Sequence, residues 1–453
     1  MSRTLSVKSG PEESAAAGAA ADQLLRIKYC GPVFDLSGYA EFARSFVKAL
    51  AGAQVPLCLE VTSHDKDRPE LGSDRELFED LRRRTVDYRV KIINVNPDCF
   101  RHYREPGCVN IGFTMFETTR IPARWVPACN QMDGILVPSA WNREVFQRCG
   151  VEAPIRVAAP GIDLPSAGAW PAELGETIAM RQLAGPRPPA RRGRKLRLPR
   201  FLRGRAAAWR TARTADHAHA FKFYSIFQWT ERKNGRGLLQ AYLAEFRRTD
   251  GVCLILKTYG RNVTAAERRS VAGEVAAVRN SMRLPDHAPV LLAGGLLSQP
   301  QIGWLHQHGD CFVLPHRAEG FGMPHLEAMS HGKPVIATGF SGNLEFMAPE
   351  NSILLPCQLC PVAGMGWSDA YEGDMMWAEP DLGALRGAMR RVYADRPYAT
   401  ALGEQARRHV QARFSWSERV RQFMHAVGEI VALAESGAAR PTAAARAKPA
   451  EAA

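Results

Sequence analysis

Short apolar runs alternate with amphipathic stretches along most of the chain, the pattern of parallel strands joined by helices. Leu24 to Cys30, Val55 to Val61, Val90 to Val95, Val109 to Met115, Gly134 to Val137 and Ile155 to Ala158 predict one series of strands. Phe221 to Phe227, Val252 to Thr258, Val290 to Ala293, Cys311 to Leu314, Val335 to Thr338 and Ile353 to Leu355 predict a second. Most of these runs are apolar at nearly every position, which suits strands buried on both faces. The fold class predicted is α/β, with two doubly wound parallel sheets. Thr264-x-x-Glu267 and Ser415-x-x-Glu418 have capping-box spacing and mark helix starts. After the second, Val420, Phe423, Met424, Val427, Ile430 and Val431 form an apolar stripe of 3.6-residue period.

Length and charge refine this division. A chain of 453 residues is too long for one ordinary core and suits two domains of about 150 to 200 residues. The net charge of +13 is a segment property: eleven Lys or Arg residues and no acid lie between Arg187 and Arg213, and without them +2 remains. That distribution argues against a nucleic-acid-binding fold. Leu196, Leu198, Phe201, Leu202 and Trp209 interleave with these charges. The stretch therefore reads as a solvated insertion between domains or, alternatively, as a dock for an anionic membrane. No apolar run reaches the roughly 18 to 20 residues of a spanning helix. Residues 1–22 and 437–453 read as disordered tails, the first lacking the pattern of a secretory signal. Ten cysteines show no framework spacing, and Cys58, Cys253 and Cys311 sit in apolar runs, which points to a reducing cytoplasm. Cys357-x-x-Cys360 has no second pair and reads as a loop pair rather than a zinc or redox site.

The most specific chemistry lies in Glu319-Gly-Phe-Gly-Met-Pro-His-Leu-Glu327. Gly320, Phe321 and Gly322 can turn tightly, and Pro324 suits the first position of a helix. Free N–H groups at that helix start attract phosphate or sugar oxygens. Glu319 falls at the end of the strand before it, where ligands sit in parallel sheets, and Glu327 falls in its first turn. Two acceptor carboxylates around an anion-binding helix start suit a nucleotide-sugar, with hydroxyls at both ends and a diphosphate between. Arg232 and Lys233, after the strand candidate Phe221 to Phe227, can clamp that diphosphate from two sides or form a pair facing water.

The run His316 to Thr338 resembles the E-x7-E signature of family 4 retaining glycosyltransferases, including its Gly332-Lys-Pro-Val335 strand entry. Asp133-Gly-Ile-Leu-Val-Pro-Ser139, Pro160-Gly-Ile-Asp163, Arg232-Lys-Asn234, Trp377-Ala-Glu-Pro-Asp381 and Phe414-Ser-Trp416 resemble further landmarks in the family's order. The resemblance implies a GT-B fold: two Rossmann-like domains with a cleft between them. It divides the chain into an acceptor domain (23–164), a basic insertion (165–219), a nucleotide-sugar domain (220–415) and a crossover helix (416–436). It also implies that Glu327 binds ribose hydroxyls, that Glu319 with the Gly320, Phe321 and Gly322 backbone holds the transferred sugar, and that Arg232 and Lys233 stabilise the leaving diphosphate. Many family members have Gly-Arg at the end of that strand, whereas this chain has Gln228-Trp229.

For the acceptor side, Glu117 in Met115-Phe-Glu-Thr-Thr-Arg-Ile-Pro122 is either a catalytic group or half of an ion pair with Arg120 or Arg124. Gly38, in the glycine loop Gly31 to Gly38, is a donor-binding candidate, and Gly38, His64 and His102 are weaker options than Glu117 on the acceptor side. Asp65-Lys-Asp67 has carboxylates that can hold a metal with substrate phosphates, but it lies in the wrong domain for donor binding. The expectation is a hexosyltransferase using GDP- or UDP-sugar, without metal or other cofactor, acting on a glycan or lipid-linked acceptor. The alternatives are a nucleotide-sugar epimerase of the same fold and a nucleotide-sugar-binding module without turnover.

Overall fold

The computed structural model describes residues 25–437 apart from 36, 63–70, 72, 166–169, 184–208, 213, 262 and 367. The expected tails, but for Gly437, most of the 187–213 stretch, and His64, Asp65 and Asp67 lie outside the described residues.

The first lobe is a six-stranded parallel sheet of β1 (Ile27–Gly31), β2 (Leu57–Val61), β3 (Val90–Ile93), β4 (Val109–Phe113), β5 (Gly134–Val137) and β6 (Ile155–Val157), ordered β2-β1-β3-β4-β5-β6. Helices α1 (Gly38–Gly52), α2 (Ser73–Arg83), α3 (Phe100–Tyr103), α4 (Trp125–Asn130) and α5 (Ala140–Arg148) connect or follow these strands. The second lobe has an eight-stranded sheet. Its parallel part is β9 (Phe221–Gln228), β10 (Val252–Tyr259), β11 (Val290–Ala293), β12 (Cys311–Leu314), β13 (Val335–Thr338) and β14 (Ile353–Leu355), ordered β14-β13-β12-β9-β10-β11. Its helices are α6 (Gly235–Glu245), α7 (Ala265–Met282), α8 (Gln299–His308), α9 (Met323–Ser330), α10 (Leu382–Ala394) and α11 (Arg396–Arg413). All four residues of β5, β11, β12 and β13 are buried, as their unbroken apolar sequences require.

Strand order reverses between β1 and β3 in one sheet and between β12 and β9 in the other. Loops leaving the two strands at such a point diverge to opposite faces and open a crevice at the carboxyl ends. Arg232 and Lys233 follow β9, and Glu319 follows β12, so the second crevice collects them.

Two strand pairs depart from the parallel pattern. β7 (Met180–Leu183) and β8 (Trp209–Ala212) fall within the stretch read as an insertion, yet they extend the second sheet as antiparallel strands beside β11. Trp209, read as part of a membrane-facing pattern, is paired with Leu183 in that hairpin. β15 (Cys357–Pro361) and β16 (Met376–Pro380) form a separate antiparallel hairpin. Cys357 and Cys360 are thus on a strand rather than in a loop. Three residues apart, they point to opposite faces and cannot converge on one ion.

Helix α12 (Trp416–Glu435) lies against the first lobe. Phe423 meets Phe46 of α1 at 5.4 Å and Phe113 of β4 at 6.1 Å between ring centres. Truncating a buried phenylalanine in such a cluster costs about 3–5 kcal/mol. The two capping-box sequences do start helices, with incomplete boxes: Thr264 accepts from Glu267 N, but Glu267 turns to Arg261 N. Ser415 makes no side-chain cap, and Glu418 pairs with Arg421.

Candidate functional site

A 3-10 turn, Glu231–Lys233, ends β9 and is fixed by Arg317, whose N–H donates to Arg232 O at 2.7 Å and whose Nη1 donates to Glu231 O at 2.6 Å. Asn234 follows with φ +52° and caps α6 through Gly237 N. This holds Arg232 and Lys233 over the end of β12. Lys233 Nζ lies 2.5 and 2.7 Å from the two oxygens of Glu319. Arg232 donates from Nη1 to Ala318 O at 2.9 Å, approaches Glu319 at 3.5 Å and places Nε 2.9 Å from Glu117. The four charges therefore form one cluster, and Glu319 is only 3% exposed.

Burial favours the neutral acid of Glu319, but Lys233 beside it, with Arg232, outweighs burial and holds the carboxyl well below its ordinary range. Behind it the rings of His316 and His325 meet edge to face at 5.2 Å. Burial keeps both imidazoles neutral, that of His325 down to about 4.

Gly320 and Gly322 carry the turn for different reasons. Gly322 has φ +102° as the cap of α9, a conformation strained for any other residue. A Cβ on Gly320 would meet the Met115 sulfur at 2.8 Å, so the first lobe touches the turn there. Phe321 is buried against Phe346 at 5.1 Å, so only its backbone is available to a ligand. Pro324 is the second residue of α9, one later than its expected place. Glu319 N donates to Ser341 Oγ at 2.8 Å, and Ser341 has φ +75° and ψ −146°, a strained backbone beside the site.

Glu327, on α9, faces a cleft of about 1120 Å³ between the lobes. The same cleft is lined by Trp170, Leu297, Gln299 and His331 of one lobe and by Glu41 and Lys48 of α1. His306 Nε2 lies 3.2 Å from Glu327 Oε2. Gly38 begins α1, exposed, with nothing within 4 Å of where its Cβ would be, and Ser37 caps the helix. His102 is exposed on α3 and is not part of the charged cluster.

Glu117 does not pair with Arg120 or Arg124, because Arg120 goes to Asp374 at 2.7 Å and Arg124 to Asp98 at 2.9 Å. It meets Arg232 of the other lobe and accepts a hydrogen bond from Tyr371. Gln228 and Trp229 turn away from the cluster, to Gly260 O and Glu274.

Several residues of the site carry no local signal. Asn142 accepts from Phe116 N at 2.7 Å and donates to Gly320 O at 3.0 Å, joining the lobes at the turn. Tyr371 belongs to the 362–375 strap between β15 and β16. Only the contact across the lobes reveals either.

This architecture is the GT-B fold of glycosyltransferases. Residues 237–360 match the family model described as glycosyl transferases group 1, and residues 302–423 match that of family 4 glycosyltransferases in conflict systems. Anabaena HepE, solved with UDP and glucose, superposes with a TM-score of 0.56 at 14% identity, over 91% of this chain and 100% of that one. Sucrose-phosphate synthase from Thermosynechococcus elongatus gives 0.59 at 17% identity, covering 90% and 99%. A glycosyltransferase from Rickettsia africae gives 0.54 at 12%, covering 90% and 99%. No curated protein matches the chain by sequence. The matched segments support a glycosyltransferase. Among the described residues no helix is long and apolar enough to cross a membrane.

Proposed function

We propose that the protein is a retaining glycosyltransferase that moves a hexose from a UDP- or GDP-sugar to a glycan or lipid-linked acceptor. The observation that carries this reading is the convergence of Arg232, Lys233 and Glu319 at the amino end of α9, with Glu327 opening from the same helix into the cleft. UDP-glucose is bound by HepE, which shares the fold.

Breaking the bond between the anomeric carbon and the diphosphate builds negative charge on the departing oxygen. Arg232, Lys233 and the Met323 N–H at the start of α9 supply fixed positive partners for it. Protein cations take the place a metal would have. Lys233 is engaged with Glu319, and the donor exchanges that contact: phosphate oxygens meet the ammonium, and sugar hydroxyls donate to the carboxylate. Glu327 accepts from the ribose hydroxyls. Glu117, held by Arg232 and Tyr371, borders the acceptor side as an orienting carboxylate. Retention follows from acceptor attack on the face the diphosphate leaves, with the diphosphate taking the acceptor proton.

Incubation with a panel of nucleotide-sugars tests the reading, with acceptor glycans and lipids present or absent. Acceptor-dependent nucleotide release with a product of unchanged anomeric configuration is expected. Acceptor-independent isomer formation would make it an epimerase, and binding without turnover a sugar-nucleotide sensor. Docking of 187–213 to anionic membrane belongs to the same proposal. Deleting 187–205, which spares β8, is expected to reduce sedimentation with phosphatidylglycerol vesicles, and equal sedimentation would discard the docking.

A further inference from the structure

Glu327 is held by a relay that begins in the centre of the second sheet. Tyr224 of β9 is fully buried, and its hydroxyl lies 3.0 Å from His306 Nδ1. His306 of α8, 1% exposed, places Nε2 3.2 Å from Glu327 Oε2. The hydrogen positions follow from the end groups. A carboxylate accepts only, so Nε2 carries the proton, Nδ1 offers its lone pair, and the Tyr224 hydroxyl donates to it. Burial holds the Tyr224 phenol protonated, as that direction requires. The imidazole has little freedom to turn, because it lies nearly parallel to His331 at 5.3 Å and to Phe312 at 6.4 Å. One Glu327 oxygen is therefore tethered, while the side chain remains 27% exposed to the cleft and can offer its other oxygen there.

We propose that His306, oriented by Tyr224, is a positioning residue that fixes the Glu327 carboxylate for the vicinal hydroxyls of a donor ribose, making the site selective for ribonucleotide over deoxyribonucleotide donors. The inference rests on the reading of Glu327 as the ribose-binding group. An untethered glutamate spreads over several rotamers and loses entropy when it meets the diol, so the tether removes that cost before the donor arrives. Under a bound donor the free oxygen is shut off from water, and a deoxyribose leaves it unpaired, which is where discrimination is large.

The test is calorimetric titration of the full chain with UDP, GDP, ADP and CDP, then with the 2′-deoxy and 3′-deoxy forms of whichever binds. The wild type is expected to prefer the ribonucleotide about tenfold or more, as a hydrogen bond to a charged group implies. His306→Leu should weaken ribonucleotide binding about tenfold and bring the deoxy forms level with it. His306→Gln, which keeps an N–H donor, should restore most of the preference. Tyr224→Phe, which removes one oxygen from the core, should give a partial loss. In turnover, the KM for donor should rise while kcat stays within about twofold, a split that general loss of folding would not produce. Retention of the wild-type preference by both His306→Leu and Tyr224→Phe, while Glu327→Ala abolishes it, would overturn the relay alone. Retention by Glu327→Ala as well, or no binding of any of the four diphosphates to the wild type, would overturn the reading beneath it.

Discussion

Tyr371 donates its hydroxyl to the Glu117 oxygen that also lies 2.9 Å from Arg232 Nε, so one carboxylate atom joins the two lobes at the charged cluster. Tyr371 stands on the strap between β15 and β16, and its ring also meets Phe116 at 5.4 Å. The strap therefore reaches out of the second lobe to fasten the first beside the site. Tyr371→Phe keeps the ring contact and removes only the donor. A hydrogen bond to a charged group contributes about 1.5–3 kcal/mol. The variant should lose stability of that order in urea titration and lower kcat/KM for acceptor, because Glu117 is then held by Arg232 alone.

The strap is expected to be secured by apolar burial more than by its ion pairs. Arg120 and Asp374 meet at 2.7 Å, yet their side chains are 56% and 76% exposed. Such a pair contributes about 0.2–1 kcal/mol. Met375, next to Asp374, is 3% exposed and packed into the first lobe's core. Met375→Ala should cost about 2–5 kcal/mol and increase proteolytic cutting in 362–375, while Arg120→Ala should leave both nearly unchanged. Equal effects from the two would show that charge secures the strap.

Neither Tyr371 nor Met375 is marked by a local signal in the sequence. β9 to β14 were legible within about a residue because strands packed between helices are mostly apolar, with few polar interruptions such as Lys222 and Lys257, and that signal is local. The turn from Glu319 to Glu327 was legible because its glycines and proline have backbone consequences wherever they occur. β7 and β8 were not, since Met180-Arg-Gln-Leu183 is mixed in character and its partner β11 lies about a hundred residues away. Tyr371 and Asn142 were not, because their roles exist only across the lobes, 254 and 178 residues from their partners. His306 sits in Trp304-Leu-His-Gln-His308, which reads as the polar end of a helix until β9 brings Tyr224 beneath it.

Lys257, on β10, is 5% exposed, has no ion pair among the described residues and rests 4.9 Å from the Tyr259 ring. Burial pulls its pKa down to about 8. An unfolded lysine titrates near 10.4, so between those values the unfolded chain binds the extra proton and stability rises with pH. Below pH 8 the cost of charging the buried amine is fully present, on the order of 3 kcal/mol. Lys257→Met should therefore raise stability at pH 7, with the gain shrinking as pH climbs from 8 toward 10.5. A gain independent of pH would mean that the folded and unfolded chains hold the Lys257 proton equally, so that burial does not depress its pKa.

The Lys233 and Glu319 pair shifts stability with pH in the same direction but over a lower range, and its disruption has the opposite effect at pH 7. Because the folded-state pKa of Glu319 is depressed, its ionised form stabilises the fold above the ordinary carboxylate range, and that contribution is lost as pH falls through the lower folded value. Glu319→Gln removes the carboxylate and leaves Lys233 buried beside Arg232, so it should destabilise at pH 7 and differ progressively less from wild type below about pH 4. Removing one member of a buried pair costs about 3–5 kcal/mol. In Lys233→Met, Arg232 at 3.5 Å still faces Glu319 and should recover part of that. Catalysis should not recover in the same way. A guanidinium tied to Ala318 O and Glu117 cannot follow the departing phosphate as the Lys233 ammonium can once the donor has displaced it from Glu319. Lys233→Met should therefore lower kcat about 10²–10³-fold, as loss of one fixed transition-state partner does, with a smaller change in nucleotide affinity. A variant with wild-type kcat and weakened binding would assign Lys233 to donor capture instead.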